Sequence, residues 1–308
     1  MNVKNVLVCG AGMMGKNIAL VCSSVRDCQI AIQDIRPVDV LADIRINCKE
    51  LLEKGILSSD ALEERLSRIH FVRDLDCDAA ARADLVVECV FEDMELKRRT
   101  FAALESICRK DAIFCTNTSA MSPTEIGRDL RHRERFVGTH FWNPAHLIPL
   151  VEVVKTDAAS DETVDVVMEF LRCAGKSPAL CKKDVPGFIG NRMQHALWRE
   201  AISLVEHGVA DAETVDDAIK NSFGLRLPQL PPLMNADLGG IDLTWRIHTY
   251  LLKYLEDSHE PSPCLSKLYN EKKLGFKSGE GFYRWTPEEI KRTNEDLNSY
   301  LIRMIYGK

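Results

Sequence analysis

Residues 4–34 read KNVLVCGAGMMGKNIALVCSSVRDCQIAIQD, and this stretch decides the fold of the N-terminal half. A short apolar run leads into the glycine turn GAGMMG at 10–15, a stretch of helical character follows, and a second apolar run ends in Asp34. The last glycine of the turn stands 19 residues before that acid. Strand, glycine turn, helix and a strand that ends in an acid about 20 residues on are typical of a dinucleotide-binding βαβ unit.

The residue types in this unit explain how it would hold a dinucleotide. Gly10 permits the tight turn, Gly12 lets the backbone approach a pyrophosphate, and Gly15 lets the helix pack closely on the strand. The N-terminus of the helix would meet the anion. Asp34 would accept hydrogen bonds from both ribose hydroxyls of NAD, and its charge would repel the 2′-phosphate of NADP. Arg36, two residues later, is of the type that accepts a 2′-phosphate, but the acid indicates NAD.

The alternation of strands and helices continues through the first half of the chain. The pattern predicts helices over 37–53, 59–67 and 96–108, and apolar strands over 84–90 and 112–115. Short apolar strands that alternate with amphipathic helices predict an α/β, Rossmann-type doubly wound sheet, on which ligands bind at the carboxyl ends of the strands. Glu92, Ser119 and His140 fall near such ends and are therefore candidates for a site.

The segment FVGTHFWNPAHLIPLVEVV at 136–154 contains two apolar, strand-like runs joined by a turn that contains proline. One run carries His140 and the other carries Glu152. Ionisable groups seldom lie within such runs unless they pair, because a lone buried charge is costly. A histidine held by a carboxylate is a general-base unit. From this segment alone, an ordinary hairpin whose histidine satisfies a backbone carbonyl remains an equal alternative.

The pattern changes at KKDVPGFIGN, residues 182–191, after which no further strands are evident. Helices are predicted over 188–207, 212–222 and 243–256. We therefore expect an N-terminal nucleotide-binding domain over 1–184 and an all-α domain over 185–308. Asn191 in the first turns after the Pro-Gly break is either a helix cap or a site residue. Lys277 in a glycine-rich turn either reaches a ligand or faces water.

Charge and hydropathy exclude several classes of partner. The 308 residues carry a formal net charge of −6, so there is no basic field to attract nucleic acid or anionic lipid. No apolar run approaches the roughly 20 residues that cross a bilayer, so no membrane partner is expected. The apolar residues 2–8 run straight into the glycines, which indicates a first strand rather than a signal peptide.

The eleven cysteines are scattered along the chain, and none forms a C-x-x-C pair. Zinc-type ligand spacing is therefore absent, and no metal site is expected. Cys9, Cys89 and Cys115 lie within apolar runs, where a thiol behaves as a small hydrophobe. These features favour the reduced thiols of a cytoplasmic protein over a disulfide framework.

Six motifs, spread over nearly the whole chain, are similar to those of the 3-hydroxyacyl-CoA dehydrogenase family. They are GAGMMG at 10–15, NTS at 117–119, HFWNP at 140–144, VEV at 151–153, PGFIGNR at 186–192 and GEGFY at 279–283. The resemblance implies an N-terminal domain that binds NAD, a helical C-terminal domain that forms a homodimer, and an active site in the cleft between the domains.

The resemblance also implies roles for individual residues. His140 would be the catalytic base and Glu152 its partner, while Ser119 and Asn191 would contact the hydroxyl or carbonyl of the substrate. Asn143 would help to hold the nicotinamide and the histidine. The implied cofactor-binding residues are Gly10, Gly12, Met13, Met14, Gly15, Asp34, Glu92, Lys97, Asn117, Ser119, Asn143 and Lys277.

The substrate is less well indicated than the chemistry. The leading hypothesis is NAD-dependent oxidation of an L-3-hydroxyacyl-CoA to a 3-oxoacyl-CoA, a step of fatty acid metabolism. Lys49 and Lys54 partly match the lysines that hold CoA in the family, but Ile56 stands where a lysine is common. Trp142 and His146 are typical of a side branch that acts on small non-CoA acids, such as a pyridine carboxylate of vitamin B6 breakdown. A non-catalytic NAD-binding or crystallin-like protein is the alternative of another class, and intact catalytic groups argue against it.

Overall fold

A computed structural model describes residues 3–307 of the chain, so that Asn2 of the first apolar run lies outside the described part. Within it, one sheet of eight strands has the order β3-β2-β1-β4-β5-β6-β7-β8. The strands are β1 Asn5–Cys9, β2 Gln29–Gln33, β3 Ile69–Val72, β4 Leu85–Glu88, β5 Ile113–Thr116, β6 Phe136–Phe141, β7 Leu150–Lys155 and β8 Ser177–Cys181.

Helices connect these strands and make up the rest of the chain. In the first 190 residues they are α1 Met13–Cys22, α2 Val40–Glu53, α3 Ser59–Leu66, α4 Asp78–Arg82, α5 Met94–Ile107, α6 Pro123–Ile126 and α7 Asp161–Cys173. The remaining helices are α8 Gly190–Glu206, α9 Ala212–Lys220, α10 Phe223–Arg226, α11 Pro232–Gly239, α12 Ile241–Leu251, α13 Pro263–Asn270 and α14 Pro287–Tyr306. The predicted α/β sheet followed by a helical second half is confirmed.

Both faces of the sheet are buried, as its apolar strands require. In β1, Val6 and Val8 pack into one hydrophobic core, whereas Leu7 and Cys9 pack into the other. This alternation follows from the period of two in a β-strand, whose successive side chains point to opposite faces. Helices therefore have to cover each face, which is the arrangement of a doubly wound fold.

The strand order reverses at β1. From β1 the chain passes to β2 and β3 on one side and then returns to β4 on the other, and the pairings among β1 to β6 are parallel. The carboxyl ends of β1 and β4 therefore flank the switch point, the place where α/β sheets bind ligands. Gly10 follows β1 there, and its amide donates to the carbonyl oxygen of Gln33 at 2.7 Å.

Two strands, β3 and β8, are not predicted from the sequence because they contain few buried apolar residues. In β3 only Ile69 is buried, and in β8, an edge strand that begins Ser-Pro, only Cys181 is buried. Strand β7 runs antiparallel to β6, as the proline-containing turn predicts, and β8 runs parallel to β7. The sheet is thus parallel over six strands and reversed over the last two.

Helix α7 also escapes the sequence interpretation, although its signals are regular. Ser160 caps the helix by accepting a hydrogen bond from the amide of Thr163 at 3.1 Å. Val164, Val167 and Leu171 recur at helical spacing and are buried. Both signals are readable without a structure.

The described residues form two compact units. The first comprises the chain up to Arg192 together with the residues from Asp296 onward, and the second comprises Met193–Glu295. Within the second unit, the Ser203 hydroxyl donates to Glu256 at 3.2 Å, and the Tyr283 hydroxyl donates to Asp216 at 2.8 Å. The domain boundary that the sequence places after residue 184 stays a prediction, because a compact unit need not end where a sequence domain ends.

Across residues 3–307, none of the helices combines the length and the apolar character that spanning a bilayer requires. All eleven cysteines are free thiols. Over the same residues, no group of three or more His, Cys, Asp or Glu side chains is placed to hold a metal ion.

We expect Gly15→Ala to destabilise the protein and Gly12→Ala to serve as its matched control. A Cβ atom at Gly15 would lie 1.8 Å from the carbonyl oxygen of Gly10, whereas one at Gly12 would meet nothing within 4 Å. Urea unfolding followed by circular dichroism should show a loss of about 1–3 kcal/mol for Gly15→Ala. Gly12→Ala should cost less than about 1 kcal/mol. Equal stabilities of the two variants would contradict this account of helix–strand packing.

Candidate active site

His140 and Glu152 face each other across the β6–β7 hairpin. They are direct partners in the antiparallel register, so their side chains lie on the same face of the sheet. The Nδ1 atom of His140 lies 2.8 Å from Oε2 of Glu152. The two residues are 5 % and 0 % exposed, respectively. The structure thus brings the predicted pair together in a buried place.

The Glu152 carboxylate receives donors from two parts of the chain. The indole Nε1 of Trp142 donates to Oε2 at 3.1 Å, alongside His140. The backbone amides of Ile189 and Gly190, at the start of α8, both donate to Oε1 at 2.9 Å. Burial by itself would raise the pKa of Glu152, but these hydrogen bonds outweigh it and lower the pKa to about 2. The carboxylate is therefore ionised at neutral pH.

The environment of His140 selects one tautomer. With Nδ1 facing a carboxylate, the proton of the neutral ring is held on Nδ1, and Nε2 is left as the basic nitrogen. Within the described part of the chain Nε2 makes no hydrogen bond. The rings of Trp142 and Phe188 pack against the imidazole at centroid distances of 5.4 and 5.7 Å. Phe188 has a φ of 51°, which is uncommon for a residue other than glycine.

Ser119 and Asn191 are joined to this pair by a short chain of contacts. Asn191 directly follows Gly190, and its Nδ2 donates to the backbone carbonyl of Ser119 at 2.9 Å. Asn117 connects the neighbouring strands, because its Oδ1 accepts from the amide of Phe141 at 3.0 Å. The end of β5, the end of β6 and the start of α8 are therefore held together.

The glycine turn has the shape that a dinucleotide requires. Gly10 has a φ of +103°, and a Cβ atom there would lie 2.6 Å from the carbonyl oxygen of Cys89, so that only glycine fits. Gly12 caps α1, and the space beside its Cα is open, as the close approach of a pyrophosphate demands. These features fit NAD at the N-terminus of α1.

Asp34 lies at the end of β2 and is held in place from two sides. The amide of Ala11 donates to Oδ2 at 2.9 Å, and the amide of Arg36 donates to Oδ1 at 3.0 Å. Burial alone would raise the pKa of Asp34, but the hydrogen bonds from Arg36 and Ala11 outweigh it and lower the pKa. The guanidinium of Arg36 is also paired with this carboxylate at 3.3 Å. Both residues therefore belong to one charged cluster beside the glycine turn.

Glu92 and Lys97 belong to a second charged cluster at the end of β4. Lys97 is 0 % exposed, and its ammonium donates to Glu88 at 2.8 Å and pairs with Glu92 at 3.3 Å. Glu92 also accepts from the Thr118 hydroxyl and, at 3.0 Å, from the amide of Ser119. The buried ammonium of Lys97 is thus covered by protein, and it positions the half-exposed carboxylate of Glu92.

The other predicted residues lie in more open places. Met13 is exposed in the first turn of α1, and Met14 beside it is partly buried. Asn143 is exposed in the turn between β6 and β7. Lys277 lies in the second compact unit, in an exposed turn between the bridged residues Gly275 and Glu280.

Three features of the site are missed by the sequence interpretation. Glu88 is a carboxylate inside the apolar strand LVVE, which is the same signal that identifies Glu152. The indole of Trp142 acts as a donor to Glu152, and its spacing of two residues from His140 on one strand face would have indicated this. The amide donors at Ile189 and Gly190 carry no side-chain signal.

We expect the stability of the protein to fall less steeply in acid after Glu152→Gln. In the unfolded chain the glutamate has a pKa of about 4.3. Because the folded value is lower, ionised Glu152 stabilises the fold above that pH, and this contribution is lost as the pH falls towards 2.

Urea unfolding at pH 7 and pH 3 would measure the effect. The drop in unfolding free energy between these two pH values should be about 2 kcal/mol smaller for Glu152→Gln than for the unmodified protein. Glu162→Gln, an exposed carboxylate on α7, is the matched control and should leave the drop unchanged. Identical pH dependence in both variants would contradict the described environment of Glu152.

Comparison with known proteins identifies the family. The model of the 3-hydroxyacyl-CoA dehydrogenase NAD-binding domain matches residues 5–185, and that of the C-terminal domain matches residues 187–285. A probable 3-hydroxybutyryl-CoA dehydrogenase of Deinococcus radiodurans is 38% identical over 90% of this chain and 99% of its own length. Human mitochondrial hydroxyacyl-coenzyme A dehydrogenase is 34% identical over 92% of this chain and 91% of its own.

A relative with a different substrate matches the chain more completely. The 5-formyl-3-hydroxy-2-methylpyridine 4-carboxylate 5-dehydrogenase of Mesorhizobium japonicum is 30% identical over 99% of both chains. A solved structure of an enzyme of this name, an NAD+-dependent dismutase, superposes with a TM-score of 0.90 at 29% identity over 100% of both chains. The 3-hydroxybutyryl-CoA dehydrogenase of Escherichia coli gives 0.77 at 34% identity, over 92% of this chain and 60% of its own. The chain therefore belongs to the 3-hydroxyacyl-CoA dehydrogenase family and is an NAD-dependent dehydrogenase that acts on a CH–OH group.

Proposed function

We propose that this protein oxidises the secondary alcohol of an L-3-hydroxyacyl-CoA to the 3-oxoacyl-CoA, with His140 as the catalytic base. The observation that carries the proposal is the buried His140–Glu152 pair, in which Nδ1 of the histidine is held by the carboxylate at 2.8 Å and Nε2 remains without a partner among the described residues. Oxidation of an alcohol needs a group that accepts the hydroxyl proton, and a neutral imidazole with this tautomer supplies one.

The residues of the chain then have distinct tasks in the reaction. Nε2 of His140 takes the proton of the substrate hydroxyl, and the ionised Glu152 stabilises the imidazolium that results. Ser119 and Asn191, linked by a hydrogen bond at 2.9 Å, orient the oxygen by donating to it. Bound NAD supplies the acceptor for the hydride that leaves the carbinol carbon. In the reverse direction His140 returns the proton to the carbonyl oxygen.

The cofactor contacts are proposed along the switch point of the sheet. The open backbone at Gly12 would contact the pyrophosphate, and Asp34 would accept from the ribose hydroxyls. Arg36 already forms an ion pair with Asp34. Its guanidinium is therefore not free to bind the 2′-phosphate of NADP, which favours NAD. Glu92 and Asn143 would lie nearer the nicotinamide, with Lys97 acting through Glu92.

Acyl-CoA is the proposed substrate for two reasons. Hydroxyacyl-CoA dehydrogenases are among the relatives, and two lysines, on α2 and directly after it, could bind the phosphate groups of CoA. Lys49 pairs with Glu53 at 3.7 Å, and Lys54 pairs with Glu50 at 3.2 Å, each within one turn of the helix. The first pair is exposed, and exposed ion pairs contribute little free energy, whereas the second pair is half-buried. The ammonium group of Lys49 therefore stays available to a phosphate group of CoA.

A small carboxylated substrate without CoA is the second candidate. It is supported by the full-length match to the pyridine carboxylate dehydrogenase, with its TM-score of 0.90. It is also supported by Ile56, which replaces one of the lysines that hold CoA in the family, and by Trp142 beside the catalytic pair. The intact set of His140, Glu152, Ser119 and Asn191 does not support a non-catalytic protein, and the cytoplasmic location stays a prediction.

We expect the purified protein to oxidise NADH when acetoacetyl-CoA is added, and His140→Gln to lower kcat by about 10²–10⁴-fold. Absorbance of NADH measures the turnover, and calorimetric titration measures NADH binding, which His140→Gln should leave within about twofold because the histidine acts on the proton. His132→Gln, which changes a half-exposed histidine between α6 and β6, is the matched control and should retain activity.

The substrate panel separates the two candidates. It contains acyl-CoA esters of several lengths and small hydroxy, aldehyde and pyridine carboxylic acids, each assayed with NAD or NADH. Turnover restricted to the small acids would decide for the second candidate. Full activity of His140→Gln would overturn the assignment of the base, and a protein that turns over no member of the panel would overturn the proposed function.

We also propose a homodimer that forms through the second compact unit. Large apolar side chains are exposed on the three successive helices α10 to α12, namely Leu225, Leu233, Met234, Leu238, Ile241, Trp245 and Tyr250. An exposed apolar surface of this kind marks an interaction site. It carries few charges to keep a second copy away, and a two-fold dimer is the commonest way to cover such a surface.

Light scattering should give about twice the chain mass of 34.7 kDa for the unmodified protein. Trp245→Glu should shift the mass towards the monomer, because a carboxylate would be buried in the contact. Ile46→Glu, an equally exposed apolar residue on α2, is the matched control and should leave the dimer intact. A monomeric unmodified protein would contradict the proposal.

A further inference from the structure

A cavity of about 420 Å³ lies in the first compact unit and belongs neither to the glycine turn nor to the catalytic pair. Its walls are the ends of α1 and α2, the residues after α2, the last turn of α3, the loop between β6 and β7, the end of α7 and the last turn of α14. Because an α-helix rises about 1.5 Å per residue, Leu20 in its wall is about 12 Å along α1 from Gly12.

The polar part of the cavity is basic. Its lining includes Lys176, Arg65 and His146 and contains no aspartate or glutamate. Lys176 is only 9 % exposed, and its ammonium donates to the carbonyl oxygens of Ala145 and Ile148 at 2.5 and 2.9 Å. Among residues 3–307, neither Lys176 nor Arg65 forms an ion pair with a carboxylate. Two cations therefore share a cavity without a counter-charge from the described part of the chain, although the net charge of the chain is −6.

His146 adds a polar atom that lacks a partner. Its Nδ1 is buried and has no hydrogen-bond partner among the described residues. Buried polar atoms are nearly always paired, and an orphan atom in a cavity points to a missing ligand or water. Burial lowers the pKa of Lys176 to about 8 and that of His146 to about 4. An anion between them would reverse both effects.

Most of the other lining residues are apolar. They include Leu20, Val21, Leu51, Leu57, Leu147 and Ile305, while Ser24 and Tyr306 each add a hydroxyl group. A largely apolar concave surface with a few convergent polar groups is the usual form of a site for a small molecule, and the volume is in the range of such sites. The lining thus suits a ligand with an anionic head and an aliphatic body.

We propose that this cavity binds a small aliphatic carboxylate, whose head lies between Lys176 and Arg65 and whose chain packs against the leucines. A bridging water would donate one hydrogen bond to the head and another to Nδ1 of His146. A carboxylate is favoured over a neutral ligand because it would pair the two cations. The inference does not rest on the proposed reaction.

Calorimetric titration of the full-length protein with hexanoate tests the proposal. We expect one saturable site per chain, and binding of hexan-1-ol at least about tenfold weaker because it lacks the charge. Lys176→Met and Arg65→Gln should each weaken hexanoate by at least about tenfold, and Arg65→Gln covers the case in which Lys176→Met does not fold. Lys110→Met, which removes an exposed lysine after α5, should bind hexanoate as the unmodified protein does.

Competition locates the site. Saturating NAD and saturating CoA should leave hexanoate binding unchanged, because neither the glycine turn nor Lys49 or Lys54 lines the cavity. Loss of hexanoate binding in the presence of NAD or CoA would overturn the proposal, since the carboxylate would then lie in the cofactor or substrate site. Absence of saturable binding, equal binding of hexan-1-ol, or unaltered binding in both Lys176→Met and Arg65→Gln would also overturn it.

Discussion

Glu152 is a carboxylate buried in the sheet. Because an unpaired charge there would cost much free energy, its oxygens must be hydrogen-bonded by the residues around it. Its oxygens accept from His140 and Trp142 on β6 and from the amides of Ile189 and Gly190 at the start of α8. Removal of any one donor would leave a buried carboxylate oxygen with one hydrogen bond fewer. The contact between β6 and β7 at this point, the tautomer of the histidine and the start of α8 therefore all depend on this one carboxylate.

A second buried charge organises the neighbouring strand in the same way. Glu88 at the end of β4 accepts hydrogen bonds from Lys97 at 2.8 Å and from the Thr116 hydroxyl at 2.7 Å. The same ammonium of Lys97 also forms an ion pair with Glu92. Because the strands β1 to β6 are parallel, their carboxyl ends meet at one edge, and both carboxylates lie near it. Buried polar networks of this kind hold side chains rigidly when every member is satisfied.

The cavity beside the hairpin shows the opposite arrangement, because Lys176 and Arg65 pair with no carboxylate among residues 3–307. Ala145 and Ile148, whose carbonyl oxygens hold Lys176, belong to the loop that joins β6 to β7, the two strands that carry His140 and Glu152. One wall of the cavity is thus the loop that connects the strands of this hairpin. A ligand in the cavity would contact this loop, whereas His140 and Glu152 are held by the register of β6 and β7.

The sequence by itself determined the fold class, the glycine turn with Asp34, and the His–Glu hairpin. Each of these depends on local periodicity or on residues close in the chain, such as the 19-residue interval to Asp34. It missed β3 and β8, whose few buried residues carry little signal, and it overlooked Glu88 although that residue resembles Glu152. Only the tertiary structure decided that the amides of α8 bind Glu152, that Lys97 is fully buried, and that Lys176 and Arg65 share a cavity. Glu152 and the amides that bind it, like the two cations of the cavity, are far apart in the chain, and backbone amides and cavities have no residue type that a pattern could show.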